Sequence, residues 1–233
     1  MPVPYFYEPS LNIGVNQFTL SPETSKHCVQ VLRMQEGAKI DITNGLGEVF
    51  NATIQTAHKA NSVVTIQQHQ SFAATQQKIT LGISLLKNAV RLEWLFEKAT
   101  EMGIHQIVPL ICERTIHERF KMDRMQNILQ SAMIQSQQAW LPLLSEPIEF
   151  DAFIHKHKAP INLIAHCEIG DKKNIKDIIA LNEVNLLIGP EGDFSSSEIA
   201  TAISNNYTPI QLGPTRLRTE TAGIFALSVL KIF

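Results

Sequence analysis

Two glycine-bearing turns near the C-terminus place the strongest constraint on how this chain can fold. Each turn follows a short apolar stretch that is typical of a buried strand, and each leads into a helical pattern. The first covers Ile188–Phe194 and the second covers Leu212–Ala222. Glycine lets a backbone approach a ligand closely, and ligands of parallel sheets bind beyond the carboxyl ends of the strands. The two turns therefore predict one pocket, walled mostly by backbone, that suits a flat polar ligand of the adenosine type.

Strand and helix patterns alternate through the larger, C-terminal part of the chain. Apolar stretches typical of strands occur at 79–86, 107–111, 161–166, 185–188 and 209–212, with amphipathic helical patterns between them and after the last. This alternation favours an α/β fold with a mostly parallel sheet covered by helices. We expect one domain over residues 73–233.

The first part of the chain reads instead as small β structure. Strand patterns at 39–44 and 48–54 flank a Gly45–Gly47 hairpin turn, and a third lies at 61–67. Ser21 and Pro22 mark the start of a short helix before them. Residues 1–72 are therefore expected to form a compact β-barrel domain.

Composition argues for a cytoplasmic protein that uses neither a membrane nor a metal. The 233 residues include no signal-peptide pattern and no apolar run near the roughly 20 residues that span a bilayer. The three cysteines are far apart and show no metal-ligand spacing. His155 and His157 lie among lysines, which favours a solvated surface.

The charge of the chain does not by itself indicate a nucleic-acid partner. The formal net charge is −2, whereas phosphate contacts dominate nucleic-acid affinity. Basic residues nevertheless cluster at 114–124, and Lys87 and Arg91 lie at a predicted strand-to-helix junction. These clusters are either solvated loop charge or a surface that faces phosphate.

Other nucleotide and hydrolytic sites fit the sequence poorly. No Gly-x-Gly-x-x-Gly run and no phosphate-loop lysine motif is present. Pro190 adds rigidity and removes a donor from the first turn, so an adenosine ligand without phosphates is favoured. Ser195 and Glu198 have the spacing of a helix capping box, and the Gly-x-Ser-x-Gly nucleophile pattern is absent.

The start of the last helix carries an unusual pair of arginines. Arg216 and Arg218 precede a helix N-terminus, where positive charge is unfavourable unless it faces an anion. Thr219 is placed to cap this helix and Glu220 to sit at its positive end. The same turn would also bring Arg218 and Glu220 to the mouth of the pocket.

Several of these segments resemble the RsmE family. Both turn motifs do, as do Glu97–Ile104, Glu113–Thr115 and the segment His27–Gly37. The resemblance spans nearly the whole chain. It implies an S-adenosylmethionine-dependent methyltransferase acting on N3 of a uridine in 16S ribosomal RNA. It also implies a PUA-like N-terminal barrel that binds RNA, a SPOUT domain with a trefoil knot, and a homodimer acting on 16S rRNA or the assembled small subunit.

The resemblance also assigns residues to the site. The implied cofactor contacts are Leu187, Gly189, Glu191, Gly192, Leu212, Gly213, Leu217, Arg218, Thr219 and Ala222. Within that frame, we expect Arg218 to stabilise the uridine anion and Glu220 or Glu191 to accept its proton. The residues expected to contact RNA are Lys26, His27, Arg33, Lys87, Arg91, Arg114 and Arg119.

The chain departs from the family pattern at three positions. Gln138 and Trp140 stand where basic residues are usual, and Asn88 stands where glycine is common. Trp140 is either a stacking platform for a base, which contributes about 1–3 kcal/mol, or an interface residue. Two other functions remain open: a SPOUT enzyme that methylates another atom, such as a ribose 2′-hydroxyl, and a non-catalytic RNA-binding assembly factor.

Overall fold

The chain folds into two units, each with its own sheet and hydrophobic core. The computed structural model describes residues 3–116, 119–179 and 182–232. One unit comprises the described residues through Ala74 together with Gln130–Leu141. The other comprises Thr75–Leu129 with the described residues from Pro142 onward.

The first unit is built on a mixed five-stranded sheet in the order β1-β3-β4-β5-β2. Its elements are β1 (Tyr5–Tyr7), β2 (Gln17–Thr19), α1 (Pro22–Lys26), a π-helical turn (His27–Val31), β3 (Lys39–Thr43), β4 (Glu48–Thr56) and β5 (Val63–Ser71). β1 pairs with β3 in parallel, and the other neighbours are antiparallel. The three predicted strands are confirmed. The expected helix starts where predicted, since the Ser21 hydroxyl accepts the Thr24 N–H at 3.3 Å.

A segment distant in sequence completes the first unit. The carbonyl of Ala139 accepts the N–H of Gly47 at 2.9 Å, and the N–H of Leu141 donates to Gly45 at 2.9 Å. The indole N–H of Trp140 donates to the carbonyl of Phe72 at 3.0 Å. Gly47 has φ +93, and a Cβ atom there would lie 2.5 Å from the Trp140 ring, so only glycine fits under this indole.

The second unit is an α/β domain with an eight-stranded sheet. Its elements are β6 (Ile79–Ser84), α2 (Ala89–Glu101), β7 (Gln106–Ile111), α3 (Met122–Gln135, whose last residues belong to the first unit), β8 (Leu143–Leu144), β9 (Ile148–Glu149), α4 (Phe150–Lys156), β10 (Ile161–Ala165), β11 (Lys173–Asn174), a 3-10 turn (Ile175–Asp177), β12 (Val184–Ile188), α5 (Ser196–Ser204), β13 (Thr208–Gln211) and α6 (Thr219–Ile232). All strand pairs in this sheet are parallel. The expected parallel sheet is therefore confirmed.

The strand order of this sheet positions the site. The order is β11-β13-β10-β12-β6-β7-β8, with β9 paired to β7. β12 is buried along its whole length and pairs with β10 on one side and β6 on the other. As a result, the carboxyl ends of β12 and β13 flank the carboxyl end of β10. Of the helices in the described residues, none combines the length and hydropathy needed to cross a bilayer.

Candidate functional site

A cavity of about 660 Å³ opens at the carboxyl ends of β10, β12 and β13. The segment after β10, the first glycine turn and the second glycine turn form three of its walls. Arg91 of α2 and Ala222 of α6 complete the lining. The lining therefore comes mostly from loop residues at the strand ends, and the two glycine turns contribute to it as expected.

The first glycine turn, residues 189–194, folds tightly onto Phe194. A Cβ atom on Gly189 would lie 3.0 Å from the Phe194 nitrogen, so the turn tolerates little beyond hydrogen at that position. Phe194 is fully buried and packs against Phe150, with 5.4 Å between ring centroids. Asp193 has φ +66, and its Oδ2 accepts the N–H of Cys167 at 2.7 Å. This bond ties the first turn to the segment after β10.

The loop after β7 braces the first turn from outside the cavity. The Arg114 Nη1 donates to the carbonyls of Gly192 at 2.9 Å and Phe194 at 3.2 Å. The neighbouring N–H of Glu113 donates to Oε1 of Glu198 at 2.9 Å. The planar guanidinium can bridge two acceptors in a fixed geometry. Arg114 therefore helps to hold the shape of the turn.

The serines after the first turn have a structural role. The Ser195 hydroxyl accepts the N–H of Glu198 at 3.3 Å, and Oε2 of Glu198 accepts the N–H of Ser195 at 2.8 Å. The capping box predicted for α5 is therefore confirmed. Hydrogen bonds from Ser195 and Ser197 lower the pKa of Glu113.

The second glycine turn leads directly into α6. The carbonyl of Arg218 accepts the N–H of Ala222 at 2.7 Å. Thr219 is thus the first residue of α6, and the expectation that it caps the helix is wrong. The Arg218 side chain is exposed and lines the cavity. Glu220 is buried, with its Oε1 3.7 Å from Nε of Arg91.

Two protein-family models match most of the chain. Residues 73–231 match the RNA methyltransferase domain, and residues 20–67 match the RNA methyltransferase PUA domain. The ribosomal RNA small subunit methyltransferase E of Synechocystis sp. is 30% identical over 221 residues, which cover 90% of this chain and 71% of that protein.

The chain belongs to the ribosomal RNA small subunit methyltransferase E family.

Solved structures of similar proteins agree with this membership. A methyltransferase from Legionella pneumophila, determined with bound SAM, is 33% identical. It superimposes with a TM-score of 0.90 over 100% of this chain and 98% of that one. The family member from Neisseria gonorrhoeae, bound to S-adenosyl methionine, is 26% identical with a TM-score of 0.88, over 99% of this chain and 98% of that one. The expected α/β domain and the expected PUA unit are confirmed. The SPOUT assignment and its trefoil knot stay predictions.

Most residues expected to contact the cofactor line the cavity. They are Gly189, Glu191, Leu212, Gly213, Leu217, Arg218, Thr219 and Ala222. Leu187 does not line it, because its side chain is fully buried in the core of the sheet. Gly192 also lies outside the lining, where a Cβ atom would lie 3.5 Å from the Arg114 side chain.

The candidate catalytic residues separate into two groups. Arg218 and Glu191 line the cavity, and Oε1 of Glu191 accepts the main-chain N–H of Lys87 at 3.2 Å. Glu220 does not line the cavity, because its carboxylate is buried beside Arg91.

The candidate RNA contacts also separate. Arg91 lines the cavity and Arg114 braces the first turn, so both are engaged within the second unit. The remaining five have exposed side chains and are Lys26, His27, Arg33, Lys87 and Arg119.

The third wall of the cavity lies in residues 165–172 after β10, and the local sequence pattern does not predict it. His166, Cys167, Glu168 and Lys172 all contribute to it. The apolar stretch at 161–166 predicts a strand, but no glycine turn follows it. Its position between β12 and β13 follows from the strand order, which the local pattern does not determine.

Three half-buried histidines of the second unit make stability depend on pH. Burial is the main cause that lowers the pKa of His105, His157 and His166. In the unfolded chain these rings take up protons at about pH 6.5. The unfolded state therefore binds more protons than the folded state as the pH falls through this region.

We expect these histidines to leave the free energy of unfolding constant above about pH 6.5. Below that pH the free energy of unfolding should decrease as the pH falls. Urea unfolding at pH 7.5 and pH 5.5 measures the change. His157→Gln should make the dependence shallower, since it removes one of the three rings. A free energy of unfolding that stays constant or rises over this interval contradicts the expectation.

The Arg114 brace makes a second prediction. In Arg114→Lys the ammonium cannot bridge both carbonyls, so amide hydrogen exchange in residues 192–198 should become about tenfold faster. Arg119→Lys, at an exposed arginine nearby, is the matched control and should leave the same amides unchanged. Equal exchange rates in wild type and Arg114→Lys would show that the brace is dispensable.

Proposed function

We propose that this protein transfers the methyl group of S-adenosylmethionine to N3 of a uridine in 16S ribosomal RNA. One observation carries the proposal: the cavity at the ends of β10, β12 and β13 lies in a chain that aligns over almost its full length with two proteins solved with this cofactor, a methyltransferase and a member of the family. We propose that the substrate is 16S rRNA within the small ribosomal subunit.

The residues of the cavity fit such a cofactor. The side chains of Ile188, Leu212 and Leu217 supply apolar surface, and the glycine turns expose main-chain polar groups beside them. Small-molecule sites typically combine an apolar lining with a few polar groups in this way. When bound, the cofactor supplies an electrophilic methyl group on a sulfonium centre.

The chain's own residues must prepare the uridine. N3 carries a proton and belongs to the Watson–Crick face, so the base must be unpaired and turned out, at a cost of a few kcal/mol. Arg218 is exposed at the cavity wall, where its guanidinium can donate to a uracil oxygen as negative charge develops there. Alignment of the two reactants contributes roughly 7–11 kcal/mol more.

Glu191 is the carboxylate that we assign to the proton of N3. It lines the cavity, and the Lys87 N–H orients one of its oxygens, which leaves the other open to a substrate. The proton passes to this carboxylate directly or through water. Glu220 is assigned instead to holding the guanidinium of Arg91, which lines the cavity.

RNA binding is assigned to the first unit together with exposed basic side chains of the second unit. Lys26, His27 and Arg33 are exposed on the PUA unit, beside the exposed apolar side chains of Val31 and Leu32. This combination of charge and apolar surface suits phosphates and unpaired bases. Lys87, whose main chain contacts the cavity residue Glu191, and the exposed Arg119 would contact phosphate.

We further propose a cytoplasmic homodimer. On α2, Val90 and Trp94 lie one turn apart and are 69% and 43% exposed. On α6, Ile224, Phe225 and Val229 are only partly buried. Apolar surface of this kind on two helices suits contact with a second copy of the chain.

The proposed activity is tested by mapping methyl groups on 16S rRNA. Purified protein, S-adenosylmethionine and small subunits from cells lacking the protein should yield one additional methyl group, located by mass spectrometry on a uridine base. A methyl group on ribose would identify a different SPOUT activity. RNA binding without methyl transfer would identify an assembly factor. Free 16S rRNA in a parallel reaction shows whether assembly is required.

Arg218 and Glu191 should both affect turnover at saturating cofactor. We expect Arg218→Ala to lower kcat by about 10²-fold, because a donor to the developing anion is lost. Arg218→Lys, which retains the charge, should recover part of the rate. Glu191→Gln should lower kcat more than Glu220→Gln, and this loss should shrink as the pH rises, because N3 then gives up its proton to solvent. Unchanged turnover in Arg218→Ala removes this side chain from the chemistry.

A further inference from the structure

His166 is a cavity residue whose ring has no hydrogen-bond partner in the part of the chain that the structure describes. It is the first residue beyond β10 and lines the cavity. Both ring nitrogens, Nδ1 and Nε2, are buried and make no hydrogen bond to described residues. Buried polar groups in native proteins are nearly always hydrogen-bonded, so an unpaired imidazole in a cavity wall indicates a ligand contact.

The backbone around this ring is held firmly. The Lys172 Nζ donates to the His166 carbonyl at 2.6 Å. On the other side, the N–H of Cys167 donates to Oδ2 of Asp193 at 2.7 Å. The main chain is thus fixed between the end of β10 and the first glycine turn, while the ring itself stays free to bind.

The ring is neutral at physiological pH. Burial and the ammonium of Lys172 lower the pKa of His166, and the carboxylates of Asp193 and Glu168 only partly oppose this effect. A neutral imidazole has one N–H donor and one lone-pair acceptor. Its natural partner is a group that both accepts and donates a hydrogen bond.

The methyl donor offers such a group in its ribose. Its ammonium only donates and its carboxylate only accepts, whereas each ribose hydroxyl does both. Main-chain groups of the second glycine turn, which lines the cavity, can bind the edges of the base. On this basis, and resting on the function proposed above, we infer that His166 hydrogen-bonds the ribose hydroxyls of S-adenosylmethionine.

The first experiment observes the ring directly by ¹⁵N NMR during titration with S-adenosylhomocysteine and with 5′-methylthioadenosine, which lacks the amino-acid end. Both ligands should shift the His166 ring resonances. His157 is the matched internal control, since it is also half-buried with a lowered pKa but stacks on Phe153 and does not line the cavity. Variants His166→Asn and His157→Gln assign the signals.

The outcomes separate the two proposals. If calorimetry shows that S-adenosylhomocysteine binds but the His166 resonances do not move, the inference fails while the proposed function stands. A shift with S-adenosylhomocysteine but not with 5′-methylthioadenosine places the contact on the amino-acid end and also overturns the inference. If the wild type binds neither ligand, both proposals fail.

A substitution series tests the ribose contact. His166→Phe should weaken S-adenosylhomocysteine binding about 3- to 10-fold, as expected for loss of one hydrogen bond. His166→Asn and His166→Gln place an amide near the positions of Nδ1 and Nε2, and one of them should restore most of the affinity. Circular dichroism of each variant confirms that it is folded.

A thermodynamic cycle then identifies the partner atom. Removing the 2′- or the 3′-hydroxyl from 5′-methylthioadenosine should weaken binding to the wild type more than binding to His166→Phe. If removing each hydroxyl weakens binding to the wild type and to His166→Phe by the same factor, His166 contacts neither hydroxyl and the assignment to ribose is wrong.

Discussion

The position of β10 between β12 and β13 is the constraint on which the functional site depends. Neighbours in the sheet are not neighbours in the sequence here, because β12 precedes β13 while β10 precedes both. The two glycine turns are therefore kept apart by a third strand end. The cavity therefore has three walls, one after each of these strands, and the middle wall, after β10, carries His166. The methyl transfer that we propose would take place in this cavity.

Charge in this region is largely committed to shaping the cavity. Arg114 donates a hydrogen bond to a carbonyl of the first turn, and Asp193 within that turn accepts the main-chain N–H of Cys167. Glu220 is occupied with Arg91. Few charged groups are left facing the cavity freely, and Arg218 and Glu191 are among them. A preorganised wall of this kind favours catalysis by alignment rather than by large local motions.

Sequence reasoning was most successful where chemistry and local pattern coincide. Glycine turns after apolar strands, and the spacing of Ser195 and Glu198, predicted structure that is present. It was least successful where tertiary contacts decide. Arg114 lies in a basic segment and is expected to contact phosphate. Its guanidinium instead donates to the carbonyls of Gly192 and Phe194, which lie far along the chain. Leu187 sits in a cofactor motif, but strand pleating directs its side chain into the core. His166 carries no local signal in the sequence, because its place in the cavity depends on strand order.

The packing of residues 130–141 on the first unit has a consequence for how the two units can be separated. The peptide from Ala139 to Leu141 hydrogen-bonds the Gly45–Gly47 turn, and Trp140 lies over Gly47. Cleaving the chain near Ala74 would divide it at the sequence boundary but not at the structural one. Either fragment would lose native partners, so neither is a self-sufficient module. A graft of this PUA unit onto another enzyme would have to include residues 130–141 as well.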